Sequence, residues 1–330
     1  MSIVTTPNRA PYGREAKYAP VAVADHPITT YYDQPQLKKS HWGVRVASYI
    51  FIAGLSGSAQ LIATAADLAG GEREQGIVER GRHIALVAVV LGPPLLIWDL
   101  HTPERFYNML RIFRRTSPMS IGTYILSSFS LFSLVTAAAQ FIGWRKVARV
   151  TQIPAAIAGA GMTTYTAALL AATSTPIWAA VPRALGVQFA ASSFAAGAAA
   201  LQLAGRADGN EAAAPALEGV SVAAAAIELV GAMIAERTYH DVGIADSTTS
   251  REPWGALHQL GAIGLGAALP LAVYAGKLAE GRPRPRLMLA AAIAVLAGSF
   301  ALRWSVIGAG NDSSIRPKQS LRFARRENVR

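Results

Sequence analysis

Eight long apolar blocks, each nearly free of charge, constrain this chain more than any other feature. They are Trp42–Leu68, Ile84–Leu100, Met119–Trp144, Ile153–Ala172, Arg183–Leu203, Leu217–Ala235, Ala256–Leu278 and Leu287–Ile307. A helix needs about 20 apolar residues to cross the roughly 30 Å hydrocarbon core of a bilayer. In lipid the backbone must satisfy its own hydrogen bonds, which a helix does within one segment. A soluble amphipathic helix would spread its apolar residues as a stripe, whereas here they come in continuous runs. The sequence therefore predicts an all-α membrane protein with about eight transmembrane helices. A polar tail over 1–41 precedes the membrane domain at 42–310, and a basic tail over 311–330 follows it. Short connections imply that successive helices run antiparallel.

Composition agrees. Hydrophobic residues make up 52% of the 330 positions and charged residues 15%, against about 25% charged in soluble domains. Many blocks are studded with small residues, as in Gly54-Leu55-Ser56-Gly57-Ser58 and Ala195-Ala196-Gly197-Ala198. Small residues let helix axes approach where no hydrophobic force drives association, so a compact bundle is expected. The Pro93-Pro94 pair should kink the second helix. The N-terminal tail lacks the apolar stretch of a cleavable signal, so the first span is expected to drive insertion.

The net charge of +11 does not point to nucleic acid, because no basic, aromatic-studded soluble domain is present to bind it. Basic loops in a membrane protein contact lipid headgroups and set topology. With an even number of crossings both tails share a side. That side collects most of the lysines and arginines, including Lys38, Lys39, Arg45, Arg105, Arg111, Arg114 and Arg115. The positive-inside rule then favours cytoplasmic tails in the cell membrane.

The most informative stretch is Ile97-Trp98-Asp99-Leu100-His101-Thr102-Pro103-Glu104-Arg105-Phe106. Thr102 before Pro103 reads as a helix N-cap with proline at the first helical position. Phe106, Met109, Leu110 and Phe113 then share one face, with Arg111, Arg114 and Arg115 elsewhere, as in a helix lying in the headgroup plane. Those arginines are either topogenic contacts to phosphates or a docking face. Asp99, His101, Glu104 and Arg105 gather ionisable groups at one membrane edge, where an exchangeable proton and a charge partner are both useful. Ser117-Pro118 repeats the cap-and-proline pattern ahead of the third span.

Asp99-Leu100-His101-Thr102-Pro103-Glu104-Arg105-Phe106 resembles the D-L-G-x-P-x-R-F signature of the NrfD/PsrC family, the quinol-interacting membrane subunits of polysulfide, nitrite and formate redox complexes. The likeness continues through Asn108-Met109-Leu110 and Thr116-Ser117-Pro118-Met119-Ser120-Ile121-Gly122. It also extends upstream through Tyr31–Pro35 and Tyr49–Gly57, and downstream through Tyr165–Leu170, Thr175–Trp178 and Leu302–Gly310. His101 departs from the family's usual glycine. The resemblance implies two packed four-helix bundles and a site for quinone or quinol, as menaquinone or ubiquinone, near one membrane surface. It further implies an extrinsic ferredoxin-like iron–sulfur subunit on that surface, docked in turn on a molybdopterin-type or other catalytic subunit. By the same resemblance Tyr49 and Tyr165 fall near ring-contacting positions; each also fits a plain interfacial or core tyrosine bonded to backbone.

Ionisable residues inside spans are the second clue, since a charge at the bilayer centre costs at least about 2.5 kcal/mol. Glu228 falls midway along the sixth block and Arg303 deep in the eighth. Glu228 can pair with Arg303 structurally or pass protons with Asp67; Asp67 itself is near enough to an edge to be simply solvated. Histidine placement argues against haem: His26 and His41 lie near the N-terminus, His240 in a loop, and His83, His101 and His258 at helix ends, so no pair meets at mid-depth. The absence of cysteine argues against an iron–sulfur cluster or disulfide in this chain. The leading expectation is a quinone-binding subunit with Tyr49, Asp99, His101, Arg105 and Tyr165 at the site. Asp67, Glu228 and Arg303 would handle protons, and Glu104, Arg105, Arg111, Arg114 and Arg115 would meet the partner. A passive anchor for a peripheral oxidoreductase and a secondary transporter are the alternatives.

Overall fold

The computed structural model describes residues 35–70, 75–100, 102–212, 214–245, 253–280 and 284–325. His101 and residues 1–34 and 326–330 lie outside that set. Every regular element among the described residues is helical. Eight helices are long and apolar enough to span a membrane: α1 Val44–Ala69, α2 Gln75–Asp99, α3 Pro118–Ile142, α4 Arg145–Ala171, α5 Pro182–Ala207, α6 Ala214–Val242, α7 Trp254–Ala279 and α8 Pro285–Ser314.

The helices pack as two groups of four. In the first, α1 lies against α2 and α4, and α3 closes the group between α4 and α2. In the second, α5 packs on α6 and α8, and α7 lies along α8. α1 and α5 meet at the seam, where α8 also joins α1. Burial follows: 67% of the most apolar stretch of α1 and 72% of that of α5 are enclosed by protein, against 28% for α2 and α3, which face lipid.

Small residues set the closest crossings. A Cβ on Gly57 of α1 would stand 2.6 Å from the carbonyl oxygen of Gly159 on α4, and the reverse addition gives 2.7 Å. Gly266 and Gly298 do the same for α7 and α8. α7 is π-helical from Leu257 to Ala268, a wide winding that is rare and frequent at functional sites.

Several helices run further than their apolar blocks. α2 starts at Gln75, so Arg80, Arg82 and His83 are helical, and α6 continues to Val242, so His240 closes a helix where a loop was expected. The basic tail is not simply solvated. A short helix at Pro317–Phe323 buries Gln319 and Ser320, and Arg322 donates to the Gly243 carbonyl at 3.1 Å. Block edges underestimate helices because hydropathy stops at the first charge, while a helix continues wherever that charge finds a partner. Helix α2 runs unbroken through Pro93 and Pro94. Ser117 caps α3 as expected, accepting from the Ser120 amide at 3.3 Å, but Thr102 makes no cap bond.

Gly159→Val should force α1 and α4 apart and lower stability by about 1–3 kcal/mol. Gly219→Ala, where a Cβ meets nothing within 4 Å, should leave stability unchanged or raise it by up to about 1 kcal/mol. Thermal unfolding of both variants in the same detergent decides between these outcomes.

Candidate functional site

The segment entering α1 is clamped before the membrane begins. Asn311 on α8 accepts from the Ser40 hydroxyl at 2.6 Å and donates to the Trp42 carbonyl at 2.7 Å. Trp42 stacks on Trp178 with ring centroids 5.7 Å apart. Trp178 is fully buried in the short helix Pro176–Ala179 and donates to the Val306 carbonyl at 2.8 Å. These contacts set His41 beside the end of α2, where its Nε2 lies 3.3 Å from a carboxylate oxygen of Asp99. Arg45 sits over the Trp98 ring at 5.3 Å, tying the same two helix ends.

Below this pair opens a cavity of about 290 Å³ within the first bundle. Its lining residues come from the segment entering α1, from the halves of α1 to α4 nearest the tails, and from the α2–α3 connection. Its walls are chiefly apolar, from Val46, Ile50, Leu96, Met119, Leu126 and Leu169. Phe106, Met109 and Leu110 close it from the connection. Two polar groupings line it: His41 with Asp99, and Tyr49 with Tyr165. The tyrosine hydroxyls are hydrogen-bonded to each other across α1 and α4. Gly122 on α3 makes room for that geometry, since a Cβ there would collide with the Tyr165 ring. Three of the expected site residues, Tyr49, Asp99 and Tyr165, are thus brought together.

Arg105 is not. It ends the 3₁₀ turn Pro103–Arg105, is exposed, and does not line the cavity, because the turn directs Phe106 inward and its charged neighbours outward. Glu104, Arg111, Arg114 and Arg115 are likewise exposed on the tail side. The in-plane helix is shorter than expected, Tyr107–Arg111. Phe113 leaves it to pack edge-on against Tyr124, centroids 5.0 Å apart. Sequence reasoning weighs His41 only as a haem ligand. Its signal is a titratable group at the same membrane edge as Asp99, a coincidence visible only once topology is assigned.

Asp67 and Glu228 lie in different bundles. Asp67 ends α1 on the side away from the tails. There it meets Arg149 at 3.2 Å and accepts from Gln152 at 2.5 Å. Arg82, 8% exposed, approaches Asp67 at 4.0 Å and donates to Gln140 at 2.8 Å and Gln152 at 2.6 Å. Asp67 is therefore neither free in solvent nor linked to the second bundle.

Arg303 is 1% exposed and Glu228 4%. Arg303 donates to the hydroxyls of Ser192 (2.6 Å), Ser299 (2.7 Å) and Ser193 (2.9 Å) and to the carbonyls of Ser299 and Phe189 (2.9 and 3.0 Å). Its guanidinium also stands 5.2 Å from the Phe189 ring centroid. Glu228 feels the Arg303 charge across Ser192 without a close ion pair, and its Oε2 has no hydrogen-bond partner. The expected Glu228–Arg303 pairing is thus indirect. Among the described residues, no three of His, Asp and Glu gather as metal ligands.

These features define an eight-helix membrane protein with an apolar pocket at one membrane edge and paired polar groups in its wall. Residues 34–312 match the family described as polysulphide reductase, NrfD, and the chain belongs to that family. A stretch of 98 residues is 34% identical to the C subunit of the polysulfide reductase of Wolinella succinogenes, covering 29% of this sequence and 30% of that protein. The alignment thus spans less than a third of that relative's length.

Arg82→Met removes the donor shared by Gln140 and the buried Gln152 and should cost about 1–3 kcal/mol. Arg149→Met, at a side chain 58% exposed, should cost no more than about 1 kcal/mol. Equal losses in detergent unfolding would refute the distinction between the two.

Proposed function

We propose that this protein is the quinone-binding membrane subunit of a multi-subunit oxidoreductase, and that the first-bundle pocket is its quinol site. The observation that carries the proposal is the pocket itself. Small-molecule sites are mostly apolar, with a few convergent polar groups and volumes from about 300 Å³ upward. A quinol ring with its isoprenoid tail asks for an apolar slot, hydrogen-bonding groups at two oxygens, and an exit for protons. The walls supply the slot. The Tyr49–Tyr165 pair supplies hydroxyls at one end and His41–Asp99 a titratable pair at the other. Tyr49, 3% exposed, is fixed by its packing, which suits a group that orients a ring. His41 has a side chain 47% exposed, against 15% for Asp99, so it can pass a proton to water on the tail side while Asp99 fixes the imidazole's orientation.

Bound quinol, as menaquinol or ubiquinol, supplies two electrons and two protons. Because this sequence lacks cysteine, the electrons leave to a centre in another subunit, a ferredoxin-like iron–sulfur protein, and onward to a molybdopterin-type or similar catalytic subunit. Glu104, Arg105, Arg111, Arg114 and Arg115, exposed beside the pocket mouth, form the docking face. His101 belongs to the same connection. The membrane is the cell membrane, with both tails and the partner on the cytoplasmic side. The name of the Wolinella relative, a subunit of a polysulfide reductase, supports a place within such an assembly. A passive anchor would need no pocket with paired polar groups. A transporter would need access from both faces, and this pocket lies wholly in one half of its bundle.

In membranes holding the complete complex, Tyr165→Phe and Asp99→Asn should each weaken a quinone-analogue inhibitor by about tenfold, the effect of roughly 1.4 kcal/mol for a lost hydrogen bond. His41→Gln should lower quinol-analogue turnover. Unchanged affinity and turnover in all three would overturn the site. Arg114→Glu combined with Arg115→Glu should weaken partner association and flatten its salt dependence; association indifferent to both charge reversals would remove the docking face.

A further inference from the structure

The second bundle holds polar groups that the pocket does not use. They form a column along one face of α6. Near the tail side Glu236 pairs with His240 at 3.2 Å, with side chains 34% and 66% exposed. Inward lies a cavity of about 20 Å³ lined by Glu236, Tyr239, His258, Ser305, Gln188 and Ala232, among others. A site needs about 10–15 Å³ of such space and several polar partners to hold a water, so this one has room for a water with partners to bond it. His258 Nδ1 lies 3.2 Å from the Ser305 hydroxyl, on the π-helical stretch of α7. Glu228 follows Ala232 by one turn of α6, and Ser192 follows Gln188 by one turn of α5.

Beyond Glu228 the column stops. Ala195 and Ala199 of α5, Ala224 of α6, and Ala292 and Val295 of α8 form a buried apolar cluster. Polar contacts resume only past it, where Gln202 donates to Ser221 at 3.3 Å and Lys277 pairs with Glu218. The side chains of this cluster are all apolar.

We propose that Glu228 is a one-sided proton-binding site, loaded from the tail side by way of Glu236, His258 and a water in the intervening cavity, and closed to the opposite side by the alanine collar. A carboxylate oxygen with no bonding partner in a dry interior is costly, and a proton removes that cost. The ligand is a proton and not a metal cation, because a metal cation needs several oxygen ligands and only one carboxylate stands here. The titratable or charged groups along the column are Arg303 from α8, His258 from α7, and Glu236, Tyr239 and His240 from α6; α5 contributes Ser192 and Gln188, which do not titrate. The site lies in the opposite bundle from the quinol pocket and does not depend on that reading.

Infrared difference spectroscopy of the full chain in lipid nanodiscs tests this without quinone or turnover. The expected result is a protonated-carboxyl carbonyl band that disappears in Glu228→Gln and shifts on transfer to deuterated water. Ala232→Leu, which fills the cavity, should slow that shift by about tenfold or more, because exchange would then wait on local opening. Glu236→Gln reads the same route without adding bulk and should also slow it, whereas Gln202→Leu, beyond the collar, should not. Absence of the band at every pH where the chain stays folded would overturn the proposal. So would exchange indifferent to the tail-side variants, or slowed equally by Gln202→Leu.

Discussion

Hydrocarbon offers nothing to an unpaired polar group, and that one constraint accounts for most of what is unusual in this structure. Its first consequence is helices throughout the span. Its second is that the buried arginines, Arg82 and Arg303, each come with a local escort. Arg303 is surrounded by three serine hydroxyls and two carbonyls, and Arg82 by two glutamines with Asp67 near by. Each guanidinium thereby ties helices together. Arg303 joins α8 to α5 at the seam, with Gly54 of α1 close against Ser193. Arg82 joins α2 to α3 and α4 at the far end of the first bundle.

The same constraint separates the two polar regions on the tail side. In the first bundle an apolar pocket is left open, and four of its polar side chains meet in two pairs, tyrosine with tyrosine and histidine with aspartate. Such pairs can be exchanged for bonds to a ligand without leaving a donor stranded. In the second bundle the helices close on each other, and the polar groups remain as a narrow column. On the proposed function the ligand site belongs to one bundle alone. The interior of the second bundle retains a carboxylate oxygen with no partner, Glu228 Oε2.

Much of this is legible in the amino-acid sequence. The apolar blocks locate all eight spans, since a length near 20 residues without charge has few other homes. Ser117-Pro118 marks the start of α3, and Tyr49, Asp99 and Tyr165 stand out before any geometry is known. Two departures share one cause. Hydropathy ends a helix where charge begins, which places Arg82 and His240 in loops. His258 lies near the start of α7, as expected, and sits against Ser305. Arg105 is expected beside Asp99, yet the 3₁₀ turn leaves it exposed while Phe106 lines the cavity.

The sequence by itself determined the solvent each segment lives in, the number of crossings and the membrane edge at which ionisable groups collect. Those follow from local composition, which transfer energies read residue by residue. Tertiary structure alone decided which of these groups meet. Tyr49 and Tyr165 lie on different helices 116 positions apart, and His41 reaches Asp99 only because Asn311 and Trp178, from the other half of the chain, hold its segment in place. Partner choice of that kind depends on helix rotation and crossing, set by glycine contacts between distant helices, and no local property of the sequence encodes it.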